Sequence, residues 1–286
     1  MKIQEILTQA ESMCKQENIA EHPARILLMD VLNLESYQLY AKLEEDMAED
    51  KKTEYFQKLT RYTKGNEPIQ YIIGYEYFAG RNLIVGPKAL IPRPETEELV
   101  HEVLFLLDDF FSEEAGYQTI DVVDIGTGSG AIAVSIAAEE PRTRVIATDI
   151  SQDALEVTKA NTEKFNLNIE LLQGDMVKPV IAAGKKVDVL LANPPYIPKR
   201  EYVQSIVKDN EPNIALFGGE DGLQFYREIL MDAHKILMPK YLLAFEIGYD
   251  QAERLSAFAR TQFPSATIYI KKDMQQKDRM LFIHNF

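Results

Sequence analysis

Apolar residues in the first 64 positions recur every three to four residues, which is the spacing of one face of an α-helix. This pattern predicts one helix whose apolar face starts at Ile3, a second that starts at Pro23 and a third that contains Tyr55. Proline is favoured in the first turn of a helix, where its missing N–H costs no hydrogen bond. A Gly-Asn-Glu-Pro run at 65–68 ends the helical pattern. We therefore expect a small N-terminal helical domain over residues 1–67.

Between positions 69 and 90 the composition changes to aromatic and branched apolar residues, with glycines at 74, 80 and 86. Short runs of this kind, separated by glycines, are typical of a β-hairpin. We expect a β-hairpin linker over residues 68–91. A Pro-Arg-Pro sequence follows, and a helix is predicted over 95–111.

Beyond residue 118 short apolar runs alternate with helical patterns. Helices are predicted near 130–139, 152–165, 223–236 and 250–262. Seven strands are predicted, at 119–125, 143–148, 168–172, 186–192, 240–247, 266–271 and 278–285. This alternation is typical of a sheet with helices on both faces. The predicted fold class is α/β, with a larger domain over residues 92–286.

Composition narrows the classes of function. The 286 residues are 46% hydrophobic and carry a net charge of −14, which disfavours a general nucleic-acid binder because such binders neutralise phosphates. No apolar run approaches the roughly 18 residues that span a bilayer, and the N-terminus lacks the apolar stretch of a signal peptide. The single cysteine and four scattered histidines offer no metal site. We expect a cytoplasmic monomer that binds neither membrane nor metal.

A glycine-rich loop follows the first predicted strand of the larger domain. It reads Gly126, Thr127, Gly128, Ser129 and Gly130 and precedes a helix. Glycines allow a ligand to approach the backbone closely, and the helix start offers free N–H groups. The loop fits a nucleotide-type cofactor, either a dinucleotide or S-adenosylmethionine.

Two acidic residues bear on the choice of cofactor. Asp124, two residues before Gly126, would repel a pyrophosphate and attract the ammonium and sulfonium groups of S-adenosylmethionine; a capping aspartate is the alternative interpretation. Asp149 comes 19 residues after Gly130, where an acid accepts hydrogen bonds from both ribose hydroxyls. Its alternative role is the N-cap of the helix after Ser151.

A Gly-Asp-Met sequence follows the third predicted strand. Asp175 is a candidate acceptor for an adenine amine, and Met176 would cover the ring with its polarisable thioether. A turn aspartate followed by a core methionine explains the same residues, and the two interpretations have equal weight.

The most specific chemical signal is Asn193, Pro194, Pro195 and Tyr196, directly after the strand at 186–192. A planar NH2 group is a poor nucleophile, because its lone pair is delocalised. It must be held through its N–H bonds with the lone pair aimed at a methyl group. The Asn193 side-chain carbonyl and the Pro194 backbone carbonyl can accept those bonds, and Tyr196 can stack on the flat group. Catalysis would then come from orientation and fixed dipoles.

These features together resemble the Rossmann-like, seven-stranded, S-adenosylmethionine-dependent methyltransferases. Three more sequences extend the resemblance to the release factor glutamine methyltransferase family over nearly the whole chain: Pro-Ile-Gln-Tyr-Ile-Ile-Gly at 68–74, Leu-Ile-Pro-Arg-Pro-Glu-Thr-Glu at 90–97 and Gly-Gly-Glu-Asp-Gly-Leu at 218–223. The resemblance implies methylation of the side-chain nitrogen of the glutamine in the Gly-Gly-Gln motif of peptide chain release factors, which act in translation termination. It also implies a substrate-recognition role for the N-terminal domain.

The same resemblance assigns site residues by motif. The donor would be held by Gly126 to Gly130, Asp149, Met176 and Asn193, and the glutamine by Asn193 to Tyr196. Met176 departs from the bulky aromatic residue often found at this position in the family.

Three other functions explain part of the same sequence. A methyltransferase for the amino group of adenine in nucleic acid would use the same four-residue sequence, but it needs a basic groove and a flipped base. A nicotinamide-dependent oxidoreductase conflicts with Asp124 and leaves the Asn-Pro-Pro-Tyr sequence unexplained. A non-catalytic module would not need that sequence. Arg93 and Glu97 are either part of a lid over the cofactor or the acidic start of a helix.

Overall fold

A computed structural model describes residues 1–112 and 116–286, and the chain divides into two compact units. The first unit contains Met1–Tyr75 and Gln204–Asn210, and the second contains Glu76–Val203 and Glu211–Phe286. Within the described ranges, no helix combines the length and apolar character needed to cross a membrane.

The first unit is helical. Its helices are α1 (Ile3–Gln16), α2 (His22–Leu32), α3 (Ser36–Ala41), α4 (Glu49–Thr63) and α5 (Ile69–Ile73). The three predicted helices are confirmed as α1, α2 and α4, whereas the short α3 was not predicted. Their apolar faces share one core, in which the fully buried Tyr55 hydroxyl donates to the Ala24 carbonyl at 3.0 Å.

The prediction of extended backbone from residue 69 is wrong for Ile69–Ile73, which form α5. Ile69 and Ile72 are three residues apart and both join the core of the first unit, so helical spacing prevails over strand composition. Gly74 ends the helix in the left-handed conformation (φ 87°). The hairpin begins after this glycine, as β1 (Tyr75–Phe78) and β2 (Arg81–Ile84).

The remaining elements follow in chain order. Helix α6 (Pro94–Phe110) precedes the predicted βα alternation. The other elements are β3 (Ile120–Ile125), α7 (Ala131–Glu139), β4 (Thr143–Asp149), α8 (Gln152–Lys164), β5 (Ile169–Gln173), α9 (Lys178–Ala182), β6 (Val187–Ala192), α10 (Ser205–Lys208, in the first unit), α11 (Gln224–Ala233), β7 (Leu237–Glu246), α12 (Ala252–Gln262), β8 (Thr267–Lys272) and β9 (Asp278–His284). All seven predicted strands of the larger domain are confirmed, with small shifts at their ends.

The seven strands form one sheet in the order β5-β4-β3-β6-β7-β9-β8. The first five are parallel, and β9 pairs antiparallel with β7 and β8. Ile125, the last residue of β3, pairs with Thr148 of β4 and with Ala192 of β6. The chain continues from β3 to the β4 side and later returns to the β6 side. This change of direction makes the carboxyl ends of β3 and β6 the place where such sheets bind ligands.

The sheet separates two apolar cores. On one face Val122 packs in the core that contains buried residues of α6 and α7. On the other, Val123 packs with buried residues of α11 and α12. Neighbouring residues of a strand point to opposite faces, so β3 needs apolar residues at both positions. The predicted three-layer α/β fold is confirmed.

Candidate active site

A pocket of about 880 Å³, including the space at its mouth, lies at the carboxyl ends of β3, β4, β5 and β6. It is lined by seven of the predicted site residues: Gly126, Gly128, Asp149, Asp175, Met176, Asn193 and Pro195. The parallel register explains this meeting, because the segments after four neighbouring strands emerge at one edge of the sheet. Asp124, Thr127, Ser129, Gly130, Pro194 and Tyr196 are not among the lining residues.

The pocket also has an apolar wall that the sequence did not predict. It includes Leu90, Ile150, Pro212, Ile214 and Phe225. These residues come from four separate segments, of which only the one that contains Leu90 belongs to a motif found in the sequence. The residues at 213–215 form a single turn of 3-10 helix, too short for a periodicity signal.

The glycine loop leaves its backbone open to the pocket. Gly126 and Gly128 have left-handed φ values of 71° and 58°, and nothing lies within 4 Å of where a Cβ atom would stand. The N–H groups of Gly126 and Thr127 both donate to the Thr148 carbonyl at 2.8 Å. Gly130 has another role, because its Cβ would lie only 2.9 Å from the Thr158 methyl group. The loop is thereby held against β4 and α8.

Asp124 lies beneath this loop and is completely buried. Its Oδ2 accepts hydrogen bonds from the Thr127 hydroxyl (2.6 Å) and from the Ala133 N–H (3.2 Å). Within the described ranges, Oδ1 has no hydrogen-bond partner. Burial raises the pKa of this carboxyl to about 7. Asp124 does not touch the pocket, but its ionised form would place a negative charge beneath the loop, which favours a cationic ligand group above it.

Asp149 lies at the end of β4 with both oxygens turned to backbone N–H groups. Its Oδ2 accepts from Gly128 and its Oδ1 from Ser151, each at 2.9 Å. Each carboxylate oxygen can accept a second bond, so the group retains capacity for two hydroxyls. The N-cap of α8 is Ser151, whose hydroxyl accepts from the Ala154 N–H at 3.2 Å. The capping role is therefore filled by the serine.

Asp175 and Met176 line the pocket on its β5 side. Asp175 forms an ion pair with Lys178, and the Gly174 N–H donates to the Asp149 carbonyl at 2.9 Å. Met176 has a left-handed φ of 48° and packs partly against the apolar core beneath it. The core-methionine interpretation thus holds for part of this side chain, while the rest of it faces the pocket.

Asn193 is held by two residues that sequence analysis did not assign to the site. Its Nδ2 donates to Glu246 Oε2 at 2.9 Å and to Thr96 Oγ1 at 3.0 Å. Thr96 lies in the first turn of α6 and Glu246 ends β7, and both are buried. The pairing of Ala192 with Phe245 brings Asn193 beside Glu246. Thr96 belongs to the Arg-Pro-Glu-Thr-Glu sequence, whereas the sequence around Glu246 showed only a strand.

Tyr196 is not among the residues that line the pocket, and its hydroxyl is bonded to Glu246. The hydroxyl donates to Glu246 Oε1 at 3.3 Å, and burial beside that carboxyl raises the pKa of Tyr196. Burial raises the pKa of Glu246 to about 7. One buried carboxyl therefore holds both ends of the Asn-Pro-Pro-Tyr sequence.

Arg93 does not line the pocket. It precedes α6 and its guanidinium donates to Glu211 Oε1 at 2.6 Å, while Glu211 Oε2 accepts from the Ile91 N–H at 3.1 Å. Glu95 and Glu97 lie in the first turn of α6. The contacts of this segment match the helix-entry interpretation, with Thr96 as its link to the site.

This sheet order, with a glycine loop after β3 and the Asn-Pro-Pro-Tyr sequence after β6, defines a Rossmann-like methyltransferase. Residues 104–212 match the family described as methyltransferase small domain, and residues 5–74 match the PrmC N-terminal domain. The hMettl16 catalytic domain, solved with the MAT2A 3'UTR hairpin 1, superimposes with a TM-score of 0.56 at 16% identity, over 87% of this chain and 85% of that one. A Pyrococcus furiosus methyltransferase gives 0.51 at 19% identity, over 72% and 89%. These structural likenesses show the fold alone.

Curated relatives narrow the class further. The release factor glutamine methyltransferase of Bacillus subtilis is 40% identical over 279 residues, covering 97% of this chain and 96% of the relative. That of Bacillus cereus is 37% identical over 284 residues, covering 99% of both. The chain belongs to the release factor glutamine methyltransferase family, and the resemblance found in the sequence is confirmed. Membership implies a methyl donor of the S-adenosylmethionine type.

Proposed function

We propose that this protein transfers the methyl group of S-adenosylmethionine to the side-chain amide nitrogen of the glutamine in the Gly-Gly-Gln motif of peptide chain release factors. The observation that carries the proposal is the orientation of Asn193. Its Nδ2 faces the oxygens of Thr96 and Glu246 and donates to them, so Oδ1 points away from these acceptors and can accept from a substrate. A carbonyl oxygen beside a pocket of this kind suits an acceptor that carries an NH2 group.

The residues of the chain would supply orientation and electrostatic stabilisation. The Asn193 Oδ1 and the Pro194 carbonyl accept the two N–H bonds of the glutamine amide, which aims the nitrogen lone pair at the methyl carbon. These acceptors also stabilise the positive charge that develops on nitrogen in the transition state. As the N–C bond forms, the sulfur–methyl bond of the donor would break and leave a neutral thioether. The nitrogen would release one proton to water, which leaves a neutral N-methyl amide. Holding the reactants in line can account for many orders of magnitude in rate.

The donor would be held by the predicted pocket residues. When bound, it supplies a methyl group made electrophilic by a sulfonium. Asp149 has the capacity to accept from two ribose hydroxyls, and the open backbone at Gly126 and Gly128 admits the donor closely. The unpartnered Oδ1 of Asp124 would attract the cationic end of the donor. Asp175 and Met176 would contact the adenine.

The two domains and the linker would have separate roles. Residues 1–67 would recognise the release factor, residues 68–91 would link the domains and residues 92–286 would perform catalysis. The protein would act as a monomer in the cytoplasm. The net charge of −14 favours a protein substrate over a nucleic acid, since a groove for nucleic acid needs positive charge.

The decisive experiment is methyl transfer into a purified release factor with a donor that carries a radiolabelled methyl group. We expect label in the release factor, mapped by mass spectrometry to the glutamine of the Gly-Gly-Gln motif. Replacing that glutamine with alanine should abolish the label, and nuclease treatment should not reduce it. Label that entered DNA or RNA instead would favour the adenine-methylating alternative.

A further inference from the structure

We propose that Thr96 and Glu246 are positioning residues that make the site selective for a carboxamide, by fixing which end of the Asn193 side chain faces the substrate. The inference rests on the proposed function, since it explains how the same site would distinguish glutamine from glutamate. Neither residue needs to touch the substrate or the methyl donor.

Hydrogen bonds join the Asn193 amide, the Thr96 hydroxyl and the Glu246 carboxyl to one another. The Thr96 hydroxyl donates its hydrogen to Glu246 Oε2 at 2.5 Å, so its oxygen is left to accept. Above pH 7, where Glu246 is ionised, its two oxygens can only accept. The two acceptors lie 2.5 Å apart and both face the Asn193 Nδ2, at 3.0 and 2.9 Å, so they share one N–H of the amide as a bifurcated hydrogen bond. The reversed amide would place Oδ1 against these oxygens and leave both hydrogens without these partners.

Burial strengthens this preference. Glu246 is 1% exposed and Thr96 is 4% exposed, so water does not compete for their oxygens. Hydrogen bonds in such surroundings are electrostatically stronger, and an unpaired polar group there is costly. The Tyr196 hydroxyl donates to the other oxygen of Glu246 and fixes the plane of the carboxyl. The amide direction is therefore set before any substrate arrives.

The fixed direction has a consequence for selectivity. A site that turns Asn193 Oδ1 away from Glu246 can accept from an N–H donor, which glutamine offers. A glutamate side chain has no N–H group, and its carboxylate would face an oxygen with another buried carboxyl close behind. Sites built to receive a hydrogen bond reject analogues that lack the donor by large factors, about 10⁴-fold in favourable cases.

The test uses the full-length protein with substitutions at both positions. Glu246→Met removes both acceptors with little change in volume, and we expect kcat to fall by about 100-fold, comparable to the loss of one catalytic hydrogen bond. Glu246→Gln keeps one acceptor and should recover part of that loss. Thr96→Val should lower kcat about tenfold, the size of one net hydrogen bond, and Thr96→Ser should recover most of it. Thr162→Val is the matched control, because it removes a buried threonine hydroxyl that bonds only within α8.

Two further readouts separate positioning from folding. The donor affinity, measured by calorimetry, should stay close to wild type in the Thr96 and Glu246 variants, and their circular dichroism spectra should be those of folded proteins. The thermal midpoint of Glu246→Met should fall, because buried donors lose their acceptor. A release factor whose acceptor glutamine is replaced by glutamate is then used as a competitor. It should bind wild type much more weakly than the glutamine form, and this difference should shrink in Glu246→Met.

Each outcome decides one point. Folded Glu246→Met and Thr96→Val proteins that keep their kcat and their preference for glutamine would overturn the inference. Loss of kcat in parallel with donor affinity and with the folded circular dichroism spectrum would also overturn it, because the role would then be structural. A wild-type protein that methylates no release factor would refute the proposed function instead. In that case the competition between glutamine and glutamate forms still tests selectivity by itself.

Discussion

A Cβ atom at Gly222 would lie 2.3 Å from the backbone carbonyl oxygen of Tyr196, closer than any side chain can approach. A Cβ at Gly218 would lie equally close to the carbonyl oxygen of Pro195. The Gln251 Nε2 donates to the Tyr196 carbonyl at 2.9 Å. The Gly-Gly-Glu-Asp-Gly-Leu segment therefore packs directly on the backbone of the Asn-Pro-Pro-Tyr sequence and helps to place it.

Gly222→Ala should displace that backbone. The new methyl group clashes with the Tyr196 carbonyl, and the φ of +74° is itself unfavourable for alanine. We expect methyl transfer to fall at least about tenfold, since small displacements of positioned groups have large effects on rate. Gly184→Ala is the matched control, because Gly184 has a φ of +64° with open space around its Cβ position. Equal loss of activity in both variants would contradict the positioning role of Gly222.

Asn193→Ala should bind the methyl donor and lose most of its turnover. The substitution removes the side-chain oxygen proposed to hold the acceptor, while the glycine loop and Asp149 are unchanged. The expected decrease in kcat is about 10²- to 10³-fold, as for other groups that stabilise developing charge. Single-turnover kinetics and calorimetry with the donor measure the two properties separately. Near-normal methyl transfer would refute the role of Asn193.

Asp149→Ala should weaken donor binding before it affects folding. The variant loses the acceptors proposed for the ribose hydroxyls, and we expect the Kd for the donor to rise about 10- to 100-fold, the size of one or two charge-assisted hydrogen bonds. Glu163→Ala is the control, because Glu163 forms only an exposed ion pair with Lys159 on α8. An unchanged Kd in Asp149→Ala would exclude the ribose role.

The unliganded protein should become more stable as the pH falls from 8 to 6. Burial raises the pKa of Asp124 and of Glu246 to about 7, whereas in the unfolded chain both acids have pKa values near 4. The folded state therefore binds more protons in this range, and the free energy of unfolding falls as the pH rises, by about 1 kcal/mol per group. Burial lowers the pKa of His284, so this one group gives the opposite pH dependence of stability below pH 6.5.

Chemical denaturation at pH 6, 7 and 8 measures this slope. Glu246→Gln removes one of the buried acids whose pKa is raised and should flatten the dependence. A stability that rises with pH in wild type, or a slope unaltered in Glu246→Gln, would show that these carboxyls do not control it.

The local spacing of apolar and polar residues is sufficient to predict most helices and strands of the fold. The strands at β3 and β6 are uninterrupted apolar runs between turn residues, and α1 and α4 show a clear helical period. The segment Ile69–Ile73 was assigned wrongly because five residues are too few to separate a helical from an extended period. The packing of Ile69 and Ile72 in the core of the first unit stabilises the helix.

The sequence by itself determined the sheet, the glycine loop and the Asn-Pro-Pro-Tyr sequence, because each depends on residues that are neighbours in the chain. The tertiary structure alone decided which groups hold Asn193. Thr96 lies 97 positions before it and Glu246 lies 53 positions after it. They meet because β7 pairs with β6 and α6 packs on the same sheet. Strand order is set by the burial of whole faces, and no local spacing of residues encodes it.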